Sequence, residues 1–75
     1  MEISYDKIAD ALSIRVSREK CKESDEIKPG VILDYGKNGN LIGIEILSFS
    51  QRKINLNNII KLDPDELVPN IIECT

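Results

Sequence analysis

The chain has no histidine and no tryptophan, and only three aromatic residues, Tyr5, Tyr35 and Phe49. Without histidine it lacks the commonest general base and the commonest metal-binding side chain. Its two cysteines, Cys21 and Cys74, lie far apart in the sequence. That spacing makes no zinc site, and in a reducing cytosol two free thiols are expected rather than a disulfide. No P-loop and no G-x-S-x-G is present, so phosphate cradling and the serine-nucleophile elbow have no sequence support. No cofactor is expected.

Long apolar runs are missing as well. Nothing approaches the roughly 20 residues of a membrane span. Met1-Glu2-Ile3-Ser4 has neither the positive start nor the apolar stretch of a signal peptide, so no membrane partner and a cytoplasmic location are expected. Basic charge is also scarce. The net charge is −3 and the pI about 4.8. Arg18, Lys20 and Lys22 are interleaved with Glu19 and Glu23, and Arg52 and Lys53 form only a pair. Nucleic acid is therefore not the expected partner, because its binders carry a basic face. Such a reading would rest on Arg52, Lys53 and Lys61.

What is present is aliphatic. Of 75 residues, 41% are hydrophobic, mostly Ile, Leu and Val. One domain spanning 1–75 is expected, with a modest core, since a chain this short buries only about 60% of its unfolded surface. Shared burial in a homodimer or with a protein partner would help it.

Alternation marks the strands. Ile3 and Tyr5 alternate with Glu2 and Ser4, and Leu12, Ile14 and Val16 with Ser13, Arg15 and Ser17. Between them Asp6 is placed to cap a turn, Lys7 to Asp10. A charged edge strand is expected over 22–27, then a Pro29-Gly30 turn. Residues 31–35 and 41–47 flank Asn38-Gly39, the preferred pair of a type I′ hairpin. That turn predicts Tyr35 opposite Ile42, Leu33 opposite Ile44 and Val31 opposite Ile46, all on one face. The other face is assigned Ile32, Asp34, Leu41, Gly43, Glu45, Leu47 and Phe49.

Beyond Ser50 the period changes. Leu56, Ile59 and Ile60 suit a short helix capped by Asn55, and Asp63-Pro64-Asp65-Glu66 is a good helix start. Pro69 is expected to end that helix within a turn or two. The remaining tail is expected to be loosely held, with Ile71 and Ile72 able to dock on the sheet. The expected fold is α+β: an antiparallel sheet of four or five strands in mainly meander order, with short C-terminal helices on one face.

Three segments carry a resemblance: Tyr5-Asp6-x-x-Ala9-Asp10-Ala11-Leu12-x-Ile14, Glu26-Ile27-x-Pro29-Gly30-Val31-Ile32-x-Asp34-Tyr35, and Gly39-Asn40-x-Ile42-Gly43-Ile44-Glu45-Ile46-Leu47. Together they resemble the YuzE-like family of small prokaryotic proteins (domain of unknown function family 2283). The resemblance covers residues 1–49, with 50–75 as a helical extension. It implies a small antiparallel sheet and no established activity. Because some members of such small families are encoded beside toxin-like proteins, it also implies a partner-binding or antitoxin-like role.

Two functional readings follow. The first is a non-enzymatic protein-interaction module using the half-apolar second face, Ile32, Leu41, Leu47 and Phe49. The second is a metal-dependent or acid–base enzyme. Asp34 and Glu45 are diagonal neighbours around the gap at Gly43, with Asp10 as a third carboxylate, and such a set suits a hard cation or a shared proton.

Overall fold

The computed structural model describes residues 1–74, with side chains through Ile72. The strands are β1 (Glu2–Asp6), β2 (Ala11–Arg15), β3 (Glu23–Lys28), β4 (Val31–Tyr35) and β5 (Leu41–Ile46). A 3-10 turn follows over Phe49–Gln51, then helices α1 (Leu56–Ile60) and α2 (Pro64–Cys74). The strands form one antiparallel sheet in the order β1-β2-β5-β4-β3. Sequence neighbours pair at three seams, as a meander requires. At the fourth, β5 lies beside β2, because the link after β2 carries the chain across to the far edge.

Turn chemistry explains the connections. Asp6 accepts hydrogen bonds from the backbone N–H of Ile8 and Ala9, at 3.0 and 3.1 Å. This local bond turns the chain back into β2. Gly30, at φ +80°, lets Pro29-Gly30 join Lys28 to its cross-strand partner Val31.

The β4–β5 hairpin corrects the expected turn. A type I′ turn needs positive φ at both central residues, but Gly39 is at +78° while Asn38 stays negative. Gly39 N–H donates to Gly36 C=O, and Gly36 N–H to Asn40 C=O. This is a three-residue loop, a type I turn ending in a left-handed glycine. The longer loop pairs Tyr35 with Leu41 rather than Ile42. Ile42 becomes a bulge, and the two irregularities cancel, so Leu33–Ile44 and Val31–Ile46 pair as expected.

One face of the sheet supplies Leu12, Ile14, Val31, Leu33, Ile44 and Ile46 to the core. Ile59 of α1 and Leu67 and Ile71 of α2 complete it. The helices begin as the sequence indicates. Asn55 accepts from Asn57 N–H, and the Glu66 carboxylate accepts from Asp63 N–H. Pro69 does not end α2, which runs through it to Cys74. Pro69 is on the exposed side, where solvent reaches the carbonyl left unpaired. Leu67 and Ile71, four apart, are both buried on the other side. Residues 70–74 of the expected loose tail are therefore helix, tied to β3 by Lys28 Nζ donating to Ile72 C=O at 3.0 Å. Cys21 is a free, exposed thiol, and the Cys74 side chain lies outside the described residues. Among the described residues no helix is long and apolar enough to cross a membrane.

Candidate functional site

The helices cover one face of the sheet and leave the other open. Across the open face run two rows of paired residues. One is Glu2, Arg15, Gly43, Asp34 and Ser24; the next is Ser4, Ser13, Glu45, Ile32 and Glu26. Small side chains at the middle leave a shallow groove of about 310 Å³ whose lining includes Glu2, Arg15, Asp34, Gly43 and Glu45. Gly43 is its floor: a Cβ there would stand 3.3 Å from the Ile14 carbonyl oxygen and 3.5 Å from Asp34 Oδ2. The groove lining holds three carboxylates and Arg15, and Arg18 pairs with Glu2 at 3.4 Å from outside it, so the groove keeps a slight acidic excess around Asp34 and Glu45. Asp34 accepts a 2.6 Å bond from Ser24 Oγ, which fixes its orientation. Arg15 reaches back to the Glu19 carbonyl at 3.3 Å.

Asp34 and Glu45 thus lie on one face around Gly43, as the register predicts. Asp10 does not join them. Its carboxylate accepts from Tyr5 O–H at 2.5 Å, from Ser50 N–H at 3.0 Å and from Ser50 Oγ at 2.7 Å. Among the described residues the three possible ligands that converge are Asp63, Asp65 and Glu66, an exposed cluster at the start of α2.

The four residues assigned to a second apolar face are divided. Leu41 and Phe49 pack against the core. The bulge at Ile42 returns Leu41 to the helix-covered side, opposite Tyr35. Phe49 has left the strand for the 3-10 turn, where its ring meets Tyr5 at 5.9 Å. Ile32 stays half-buried on the open face, and Leu47 is exposed just beyond β5.

A polar clasp that sequence reasoning missed joins the β1–β2 turn to the segment after β5. Besides the bonds to Asp10, Phe49 N–H donates to the Asp10 carbonyl at 3.0 Å. Asp10 and Ser48 are the two non-glycine residues with positive φ among those described, both at +52°. Strain of this kind is held by the bonds around it. The Tyr5 bond, then those from Ser50, hold the Asp10 carboxyl below its ordinary pKa. The same bond, partial burial and the nearby charges of Asp10 and Asp6 raise the Tyr5 phenol. Both shifts move away from neutrality, so near pH 7 the clasp is a fixed donor–acceptor pair rather than a proton relay. No local signal links Asp10 to a serine forty residues on.

Arg52 is a second such tie. Its Nε donates to the Leu47 carbonyl and its Nη2 to the Pro29 carbonyl, each at 2.7 Å. Of the three basic residues considered for nucleic acid, this one is turned inward on backbone oxygens.

These features define a small α+β protein with one helix-covered and one open sheet face. Residues 2–50 match the family described as "Protein of unknown function (DUF2283)"; the chain belongs to this family. The match takes in the whole sheet, the open face and the Tyr5–Asp10–Ser50 clasp. No curated protein and no solved structure matches the chain.

Proposed function

We propose that the chain is a non-catalytic protein-interaction module whose docking surface is the open face of the sheet. The observation that supports this most is the groove over Gly43, acidic in its centre and bordered by Ile32. Its breadth and shallowness suit a segment of another chain better than an enclosed small substrate. Glu2, Asp34 and Glu45 favour a partner with basic side chains, which complementary charge would steer and orient. Ile32 and Leu47 supply the apolar contact. An antitoxin-like role is one form such a module takes, with the toxin-like protein as the basic partner.

The test is photo-crosslinking from Ser13, in the groove, followed by identification of captured chains in cells. A specific captured chain should be lost with an Ile32→Glu/Leu47→Glu variant whose melting temperature matches the original. Capture that is equal in both, or absent in both, would remove the open face as the docking surface.

A further inference from the structure

We infer that β1 is a self-pairing edge, through which a second copy of this chain extends the sheet across a two-fold axis at Ile3. The sheet has two edges, β1 and β3, and they are not alike. β3 carries Glu23, Asp25, Glu26 and Lys28, and its register breaks between Glu26 and Lys28. Charge and a bulge are the usual devices that keep an edge from pairing with another strand. β1 is charged only at its two ends, Glu2 and Asp6, and has neither a bulge nor a lysine nor a proline. Its five residues pair with β2 in unbroken register from Glu2–Arg15 to Asp6–Ala11. Its outer side makes no backbone hydrogen bond to any other described segment.

The occupant follows from register. Keeping both sets of helices on the same face allows only registers in which odd residues face odd ones. A two-fold axis at Ser4 sets Glu2 against the partner's Asp6, twice, and an axis at Glu2 sets Glu2 against itself. Like charges directly opposite are unfavourable. An axis at Ile3 avoids both. It sets Ile3 against the partner's Ile3, Met1 against the partner's Tyr5, and Glu2 against the partner's Ser4. Met1 and Tyr5 are 51% and 45% exposed in the single chain, and this one arrangement covers both, apolar against aromatic. The seam is self-complementary, as a two-fold interface must be. It is also short against the roughly 800 Å² per partner of a standard interface, so the dimer belongs to the weak, concentration-dependent kind. The open faces of the two copies become one continuous surface and stay free. The seam therefore stands whether or not that face binds another protein.

Sedimentation equilibrium from low micromolar to near-millimolar protein tests it. The unmodified chain should pass from monomer to dimer. Ser4 is exposed, so its variants should fold normally, as melting curves would confirm. Ser4→Glu sets two carboxylates opposite each other twice per dimer and should weaken association about tenfold. Ser4→Lys faces the partner's Glu2 and should not weaken it, and the Glu2→Lys/Ser4→Glu double variant should restore it. Ile32→Glu, on the open face, should leave association unchanged. A chain that stays monomeric throughout would overturn the proposal. So would equal weakening by Ser4→Glu and Ser4→Lys, or weakening by Ile32→Glu, which would put the seam at another register or on the open face.

Discussion

The guanidinium of Arg52 occupies the space that a side chain on Gly30 would need. A Cβ built there runs directly into Nη2, the atom that donates to the Pro29 carbonyl. Gly30 also has φ +80°. Gly30→Ala therefore meets left-handed strain and must displace Arg52 Nη2 from the Pro29 carbonyl. The loss should be about 2.5–5 kcal/mol, from strain of about 1–2 and one hydrogen bond from a charged group of about 1.5–3. In an Arg52→Ala background the same change should cost only the strain, about 1–2 kcal/mol. A double-mutant cycle by urea unfolding measures the difference. Additive effects would mean that the two residues do not compete for that space.

The clasp predicts acid and alkaline limits. Folding favours the ionised Asp10 carboxylate, because the bonds from Tyr5 and Ser50 lower its pKa. That contribution is complete above the unfolded value, near 4, and fades as pH falls through the lower folded value. Folding also favours the protonated Tyr5 phenol, whose pKa is raised first by its bond to Asp10. That contribution is complete below about 10 and fades as pH rises through the higher folded value. Melting temperature against pH should decline at both ends. Asp10→Asn should flatten both limbs, and Tyr5→Phe should remove the alkaline limb and reduce the acid limb to the share that Ser50 supplies. Unchanged profiles in both variants would show that the clasp does not couple to folding.

Ser48 gives a prediction of opposite sign. It adopts φ +52°, and as the residue preceding the 3-10 turn its side chain makes no capping hydrogen bond. Ser48→Gly removes an unfavourable backbone conformation without losing a bond. It should stabilise the chain by about 1 kcal/mol, or raise the melting temperature by about 4–8 °C. A lower midpoint would show that the hydroxyl matters.

The helices beyond the family match close the core. Leu67 and Ile71 lie at 0% and 2% exposure against strand residues such as Leu12 and Ile46. Leu67→Ala or Ile71→Ala should each lose about 2–5 kcal/mol. That is a large share of the about 4–11 kcal/mol expected for a domain of this size. Residues 1–50 alone should show no cooperative melt in calorimetry. A sharp transition from that fragment would make the helices an appendage.

Strands were legible wherever alternation was clean. Leu33–Ile44 and Val31–Ile46 pair as their pattern dictates, and Leu12 and Ile14 share the core face, because a one-residue slip would bury polar groups. The Asn38-Gly39 dipeptide serves two turn types, and nothing local says which. That choice moved Leu41 to the core side, and Phe49 followed the 3-10 turn. Pro69 does not stop α2, because burial of Leu67 and Ile71 outweighs one missing bond at an exposed position. The ties of Asp10 to Ser50 and of Arg52 to Pro29 join residues far apart in sequence, where no periodicity reports them. Asp34 and Glu45 were placed correctly on one face, since register alone decides that.

That placement sets the last expectation. Asp34 and Glu45 flank Gly43, but Asp10 is held elsewhere by Tyr5 and Ser50. Asp34 is already bonded by Ser24. Calcium takes six to eight oxygens, and magnesium demands a near-octahedral shell, whereas this pair offers two carboxylates on an open surface. Melting with about 10 mM Mg²⁺ or Ca²⁺ should therefore give a midpoint no higher than an ionic-strength control, because only binding to the folded state raises it. Asp34→Asn should behave as the unmodified chain does. A rise seen with metal and abolished by Asp34→Asn would instead establish a cation site on the open face, and the protein-interaction reading would then have to share that groove with it.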